Sequence, residues 1–325
     1  MLNSTLILFN FMIFGGLFIS VCSNNWIIIW MGMEITTLSF ITLLKSNSFI
    51  SSESAMKYFI IQSVSSSLFI LAIMFMLMGV NMNMNVNMII CFSMFMKMGV
   101  APFHNWLLNM VEGVNYYMLS YMLTLMKVVP LMISMMFDLN FNLIVVLNLF
   151  IGSICGLNQN SFRKIISYSS VFNMSFMIYS KSNFIIWMNY LVIYSFMIIS
   201  LIFILNKYCI YYLNQMVFNQ LNLINKLSLW LLIVSLGGIP PTMGFFIKMK
   251  VIELGVYMGD MFLIFFMVMM SLLVMFYYNR ICFISICLNY LMPKWNMMMI
   301  NQFSLLIIFF SFYSMPFLFM FKIFI

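Results

Sequence analysis

Five side chains in this sequence can take up and release a proton at places where a charge is costly. Glu34 stands inside the apolar run WIIIWMGMEITTLSFITLL. Lys97 and the single histidine, His104, share the stretch MKMGVAPFHNW. Lys127 follows YMLTLM, and Lys248 closes SLGGIPPTMGFFIK. An ionisable group inside an apolar span costs about 2.5–3.5 kcal/mol even on the mildest insertion scale, so each is a candidate functional group. At one depth the five would form a proton or ion path; the competing reading is structural ion pairing. A lysine relay is energetically feasible. Bringing a free lysine from about 10.4 to about 7 takes roughly 4.6 kcal/mol. A Glu–Lys pair about 4 Å apart at an effective dielectric of 20 contributes about 4 kcal/mol. Moving Glu34 towards or away from Lys97 is therefore enough to hold or release a proton. His104 either bridges Lys97 to the next carrier or is a helix-end ring bonded to a freed carbonyl.

The elements that must hold these groups follow from composition. The chain of 325 residues is 65% hydrophobic and 6% charged, with a mean hydropathy of +1.12. Soluble domains carry roughly 25% charged residues, so this is an integral membrane protein. At about 20 residues per crossing the hydropathy predicts eleven helices, near 3–22, 26–44, 56–79, 86–110, 114–137, 140–158, 162–180, 184–206, 227–252, 260–288 and 302–324. The aromatic, amphipathic segment 207–226 reads as interfacial.

Two of these spans are interrupted. Gly99 and Pro102 follow Lys97 in the fourth, and Gly237, Gly238, Pro240 and Pro241 precede Lys248 in the ninth. Backbone groups freed at such breaks must face protein or water. Paired interrupted segments in two halves point to a transport site. Because the two spans are five apart, an odd number, repeats built on them must be inverted. The expected fold is an all-α polytopic membrane protein with two inverted five-helix repeats, each with a discontinuous helix, plus a C-terminal helix. Residues 1–138 form the first bundle, broken near 99–102. Residues 139–288 form the second, broken near 237–241, and 289–325 form the last transmembrane helix. Lys45, Lys57, Arg163, Lys164, Lys207, Lys226, Arg280 and Lys294 fall on the N-terminal side, against Lys181, Lys250 and Lys322 on the other. The positive-inside rule then puts the N-terminus in the matrix-like compartment.

Several function classes fall away. The net charge of +8 is scattered, with no basic cluster to bind nucleic acid. Cys22, Cys91, Cys155, Cys209, Cys282 and Cys287 form no CxxC pair and read as small packing residues. No iron–sulfur ligand set and no Gly-rich nucleotide loop is present. Alanine occurs only at Ala55, Ala72 and Ala101, arginine only at Arg163 and Arg280, while methionine reaches 40 and phenylalanine 37. That bias fits an A+T-rich mitochondrial genome of invertebrate type. The first apolar segment starts near Met1 without an Arg-rich leader, so the expectation is synthesis where the chain is inserted. Gln62, Ser63, Ser65, Ser66 and Ser67 either line a wet path or serve helix packing. Lys57 and Glu53 read as an interfacial anchor, and Glu112, Glu253 and Asp260 as helix-end acids in solvent.

The motifs WMGMEI, SSESAMKYFIIQ, KMGVAPFHNW, TLMKVVPL, GLNQNSFRKIISYSS and SLGGIPPTMGFFIK, in that order and spacing over roughly residues 20–255, resemble the chain 2 family of mitochondrial NADH–ubiquinone oxidoreductase. The resemblance implies an antiporter-like membrane subunit of respiratory complex I, in the inner mitochondrial membrane, with its C-terminus on the intermembrane side. Glu34 matches the glutamate of the family's MGxEI, Lys97 the lysine of KxGxAPFH, Lys127 that of QKxAP and Lys248 that of GGxPPxxGFxxK. These groups are expected to move protons, driven by redox chemistry in other subunits. NAD, FMN, iron–sulfur clusters and ubiquinone are expected there, and no cofactor on this chain. Expected partners are neighbouring antiporter-like chains, the small chain 4L and lipids such as cardiolipin. The alternative is a free-standing cation/proton antiporter, which more often uses a buried Asp for sodium.

Three departures from the family stand out. Asn173 occupies the place of a usual histidine, so water is expected to carry the proton where an amide cannot. The family's PKW reads Ile247-Lys248-Met249, and its WQK reads Leu125-Met126-Lys127.

Overall fold

In a span without water each backbone N–H and C=O must be satisfied within its own segment, which leaves helix as the economical solution. The computed structural model describes residues 4–45, 48–78, 83–137, 139–218, 223–240 and 242–287, and among them the chain is helical throughout, without a β-strand. The expected C-terminal span at 289–325, with Lys294 and Lys322, lies outside the described residues, as does Pro241. Among the described residues, six helices are long and apolar enough to cross a membrane: Ser4–Cys22, Trp26–Leu44, Phe49–Leu77, Tyr116–Met135, Phe184–Lys207 and Met261–Ile286. The residues group into two units, Met1–Ile144 and Val145–Ile325.

The first unit holds α1 (Ser4–Cys22), α2 (Trp26–Leu44), α3 (Phe49–Leu77), α4 (Asn83–Met98), α5 (Asn105–Val111), α6 (Tyr116–Leu123) and α7 (Leu125–Met135). Two glycines set how closely α1 and α2 cross. A Cβ on Gly16 would lie 2.9 Å from the Gly32 carbonyl, and one on Gly32 would lie 2.8 Å from the Gly16 carbonyl. Backbones meet there as small residues allow in apolar surroundings, and this fixes Met33 and Glu34, the next two residues of α2. Helix α3 begins seven residues before the expected 56. The Ser48 hydroxyl caps it by accepting from the Ser51 N–H at 3.3 Å, so the polar SSES stretch is a helix start and not a loop.

The second unit begins within α8 (Asn142–Leu157) and holds α9 (Phe162–Tyr179), α10 (Phe184–Lys207), α11 (Gln215–Phe218), α12 (Leu223–Gly237), α13 (Met243–Met258) and α14 (Met261–Cys287). Helix α9 is buried on nearly every face. That explains how it carries Ser167, Ser169, Ser170, Asn173 and Ser175, whose polar groups bond within the protein. The segment expected to lie along the interface is anchored near its start. Tyr211 and Leu213 pair with the start of α9 and the residue two before it: the Phe162 N–H donates to the Tyr211 carbonyl at 2.9 Å, and the Leu213 N–H to Asn160 at 3.1 Å. The Arg163 guanidinium lies over the Tyr211 ring at 4.7 Å. One of the N–H groups that a helix start leaves without an internal partner is thereby satisfied.

Candidate functional site

The break after α4 is a helix ending built on one glycine. Gly99 has φ +70, a left-handed conformation that a side chain strains. The Val100 N–H reaches back to the Phe95 carbonyl at 3.0 Å and the Gly99 N–H to Met96 at 3.3 Å, the paired bonds of a Schellman ending. Two side chains satisfy carbonyls of this last turn. Trp106 Nε1 donates to Met96 at 3.1 Å, and Gln62 Nε2, from α3, donates to Lys97 at 3.3 Å. Pro102, in a cis peptide after Ala101, precedes the restart at α5.

Lys97 therefore stands in the last turn of α4, where the carbonyl end of the helix favours a cation. Its side chain is buried and its ammonium donates to Met33 Sδ at 3.9 Å. It lines a cavity of about 20 Å³ with Met33, Thr36, Tyr58, Gln62, Met126 and Pro130 among its walls. A polar space of that size holds a water molecule. Glu34 is half-buried and its charge acts on both Lys97 and the Tyr58 hydroxyl. The two do not form a direct ion pair: among the described residues none joins them within 4 Å.

Lys127 is held differently. Helix α6 stops at Leu123 and α7 starts at Leu125, with Thr124 at φ −118 and ψ −75 between them. Pro130 inside α7 withholds a further N–H, leaving a carbonyl one turn back without its helix partner. The Lys127 side chain is buried, and its Nζ meets no hydrogen-bond partner among the described residues. An ammonium there bears a desolvation cost of several kcal/mol that no described side chain offsets. His104 stands at the start of α5, half-buried, without a side-chain cap bond, its Nδ1 3.2 Å from the Pro102 carbonyl. A carbonyl only accepts, so Nδ1 carries the proton and a neutral ring keeps Nε2 as an acceptor. No contact joins His104 to Lys97 or Lys127.

The break after α12 repeats the ending of α4. Gly238 has φ +86; its N–H donates to Ser235 at 3.1 Å, and the Ile239 N–H donates to Val234 at 3.4 Å. Here the lysine comes from the helix that follows. Thr242 starts α13, and Gly244 lets α13 approach so closely that a Cβ there would lie 1.7 Å from the Ser235 carbonyl oxygen. Lys248, buried, donates to Gly237 at 2.9 Å and to Leu236 at 3.3 Å. Its ammonium lies 5.5 Å from the centre of the Phe172 ring, within cation–π range. A cavity of about 10 Å³ adjoins it, lined by Asn173, Tyr190, Tyr194, Met197, Leu236, Gly244, Ile247 and Lys248.

Within each unit the structure thus gathers partners around a lysine; sequence reasoning names Gln62 and Asn173 but not their contacts, and misses Tyr58 and Tyr190. Tyr58 and Gln62 stand beside Lys97. Asn173 stands beside Lys248, with the Tyr190 hydroxyl donating to its Oδ1 at 2.7 Å while its Nδ2 donates to Ser169 at 2.8 Å. The lower-ranked residues sort by exposure. Ser65 and Ser66 face inward and Ser63 and Ser67 outward. Lys57 pairs with Glu53 at 2.6 Å, both substantially exposed. Lys250 pairs with Glu253 at 3.0 Å, and Asp260 accepts from Tyr179 at 3.3 Å.

Comparisons with known proteins identify the family and the fold. Residues 23–274 match the family model described as NADH:quinone oxidoreductase/Mrp antiporter, TM. The chain is 34% identical over 309 residues to the NADH-ubiquinone oxidoreductase chain 2 of Anopheles gambiae, covering 91% of this chain and 90% of that one. In fold it is similar to a chain of respiratory complex I from Thermus thermophilus with bound aureothin, at TM-score 0.81 and 16% identity, over 95% of this chain and 76% of that one. A chain of the Mrp complex from Dietzia sp. DQ12-45-1b gives TM-score 0.76 at 13% identity, over 84% and 59%. Those two likenesses speak for the fold alone. The chain belongs to the NADH:quinone oxidoreductase/Mrp antiporter transmembrane family, among the chain 2 proteins of NADH–ubiquinone oxidoreductase.

Proposed function

We propose that this chain is the antiporter-like subunit of a proton-pumping NADH:ubiquinone oxidoreductase in the inner mitochondrial membrane. It moves protons through Glu34, Lys97, His104, Lys127 and Lys248. Eleven spans in two inverted repeats plus a terminal helix carry the relay, with the N-terminus towards the matrix. The chain serves an oxidoreductase without redox chemistry of its own. NAD, FMN, iron–sulfur clusters and ubiquinone belong to other subunits. Its neighbours are other antiporter-like chains, the small chain 4L and lipids such as cardiolipin.

The observation that carries this reading is the pair of buried lysines, Lys97 and Lys248, each at a glycine-ended helix break and each beside a small cavity that a few polar side chains reach, Gln62 and Tyr58 in the first and Asn173 and Tyr190 in the second. A structural role needs neither the break nor the space. A hydrated lysine exchanges protons with one water, and a broken helix supplies the carbonyls that stabilise the ammonium.

The test is pumping in assembled complexes carrying Lys97→Met or Glu34→Gln. Both variants are expected to assemble and to lose most of the proton translocation coupled to NADH oxidation. Native pumping in an assembled variant removes that residue from the relay. Blue-native electrophoresis separates the proposal from a free-standing antiporter: a pump subunit migrates only with a very large NADH-oxidising complex, whereas an antiporter runs alone.

A further inference from the structure

Lys248 has three N–H donors, and two are engaged by the Leu236 and Gly237 carbonyls. The third is left for the cavity that Lys248 shares with Tyr190, Tyr194 and Asn173. Tyr190 is fully buried in α10, and its own proton is committed to Asn173 Oδ1 at 2.7 Å. Asn173 is held in that sense in turn, because its Nδ2 donates to the Ser169 carbonyl. A phenol whose hydrogen is directed one way keeps its lone pairs for donors on the other side. The amide cannot titrate, so it orients Tyr190 without competing for the proton.

We propose that Tyr190 is a positioning residue for Lys248: pinned by Asn173, its phenol oxygen receives the free N–H of the ammonium through one water in the cavity they share. This rests on the relay role of Lys248 proposed above. Tyr190 gives up no proton of its own; it holds the donor in line and offsets part of the cost of a buried charge. The groups around Lys248 are few. Helix α9 presents Phe172 and Asn173, α10 Tyr190 and Tyr194, and α12 its two carbonyls, while Tyr278 of α14 packs beside Gly237. The described carboxylates of this unit are engaged elsewhere, Glu253 with Lys250 and Asp260 with Tyr179. Removing the phenol oxygen therefore weakens the charged amine without exposing it to a nearby acid.

The experiment measures pumping against pH in assembled complexes carrying Tyr190→Phe, Asn173→Leu or Lys248→Leu. Tyr190→Phe keeps the ring and is expected to slow pumping about tenfold, with the alkaline limb of the profile moving about one pH unit towards acid, the scale of one hydrogen bond to a charged group. Asn173→Leu, which unpins the phenol, is expected to move the limb the same way by less. A purely packing role would leave the profile in place. A native rate and profile in assembled Tyr190→Phe overturns the inference. Should that variant fail to assemble, a native profile in Asn173→Leu overturns it instead. If Lys248→Leu pumps normally, the relay reading itself is what fails. If Lys248→Leu abolishes pumping while Tyr190→Phe changes nothing, only the positioning role falls.

Discussion

The two helix breaks share one backbone and differ in how they hold their lysine. Both end a helix on a left-handed glycine, Gly99 at φ +70 and Gly238 at φ +86, with the same pair of returning N–H bonds. In the first unit the lysine belongs to the helix that ends, and its ammonium meets one thioether and the field of Glu34. In the second it belongs to the helix that begins, and it grips two carbonyls of the helix that ended. A thioether is a weak acceptor, whereas bonds to a charged donor are worth about 1.5–3 kcal/mol. Lys248 is thus tied to the break and Lys97 is loosely held beside it. The difference teaches that a break can supply either the anchor or only the room, and that where it supplies only the room an acid acts on the amine.

Gly244 and Gly99 give the largest test of this contrast. A methyl on Gly244 would lie 1.7 Å from a backbone oxygen, so Gly244→Ala must push α13 off the end of α12 and pull Lys248 from its carbonyls. Assembled complex on blue-native gels is expected to fall at least tenfold. A methyl on Gly99 meets the end of the Leu107 side chain at 2.9 Å, which can swing aside, leaving mainly left-handed backbone strain of about 1–2 kcal/mol. Gly99→Ala is expected to assemble at reduced yield. Equal losses would mean that both breaks are fixed by helix packing and that the anchor in the second is incidental.

A middle-sized effect is expected at Gln62, the side chain that satisfies the Lys97 carbonyl from α3 at 3.3 Å. Gln62→Leu leaves that carbonyl without its side-chain donor at the edge of the cavity. A loss of about 1–2 kcal/mol should appear as a lower thermal midpoint of the isolated complex. In the second unit the amide of Asn173 bonds its own helix and Tyr190, so Asn173→Leu should shift the pH profile more than the midpoint. The reverse pattern would exchange the roles given to the two amides.

Sequence patterns exposed the breaks and the lysines because both are punctuation in an apolar text. Gly and Pro in GVAP and GGIPP, and single charges among Ile, Met and Phe, stand out locally. What stayed hidden depends on distance. Gln62 reaches a carbonyl 35 residues away, and Tyr190 meets Asn173 from a separate helix, contacts that no local pattern encodes. The interruption at Thr124 carries no glycine or proline of its own, so it left no mark. Glu34 was legible as a charge in an apolar run, but its half-buried setting depends on which face α2 turns to α1 through Gly16 and Gly32. The Asn173 departure was visible, and its partner was not.

The smallest expected effect concerns the serines of α3, and it limits the comparison to the inward face. Ser65 is fully buried and its hydroxyl donates to the Gln62 carbonyl at 2.8 Å. Ser67 is exposed and donates to Val64 at 2.8 Å. Each hydroxyl is satisfied by its own helix, so neither substitution to alanine strands a polar group. Ser67→Ala is expected to change assembly by no more than about 0.5 kcal/mol and pumping by less than twofold. Ser65→Ala removes a hydroxyl next to the Gln62 that closes the Lys97 break, so any change should appear there first, in the thermal midpoint. A slower pump in Ser67→Ala than in Ser65→Ala would show that the outward face of α3 does polar work against a neighbouring subunit, and that the inward cavity is not where the serines matter.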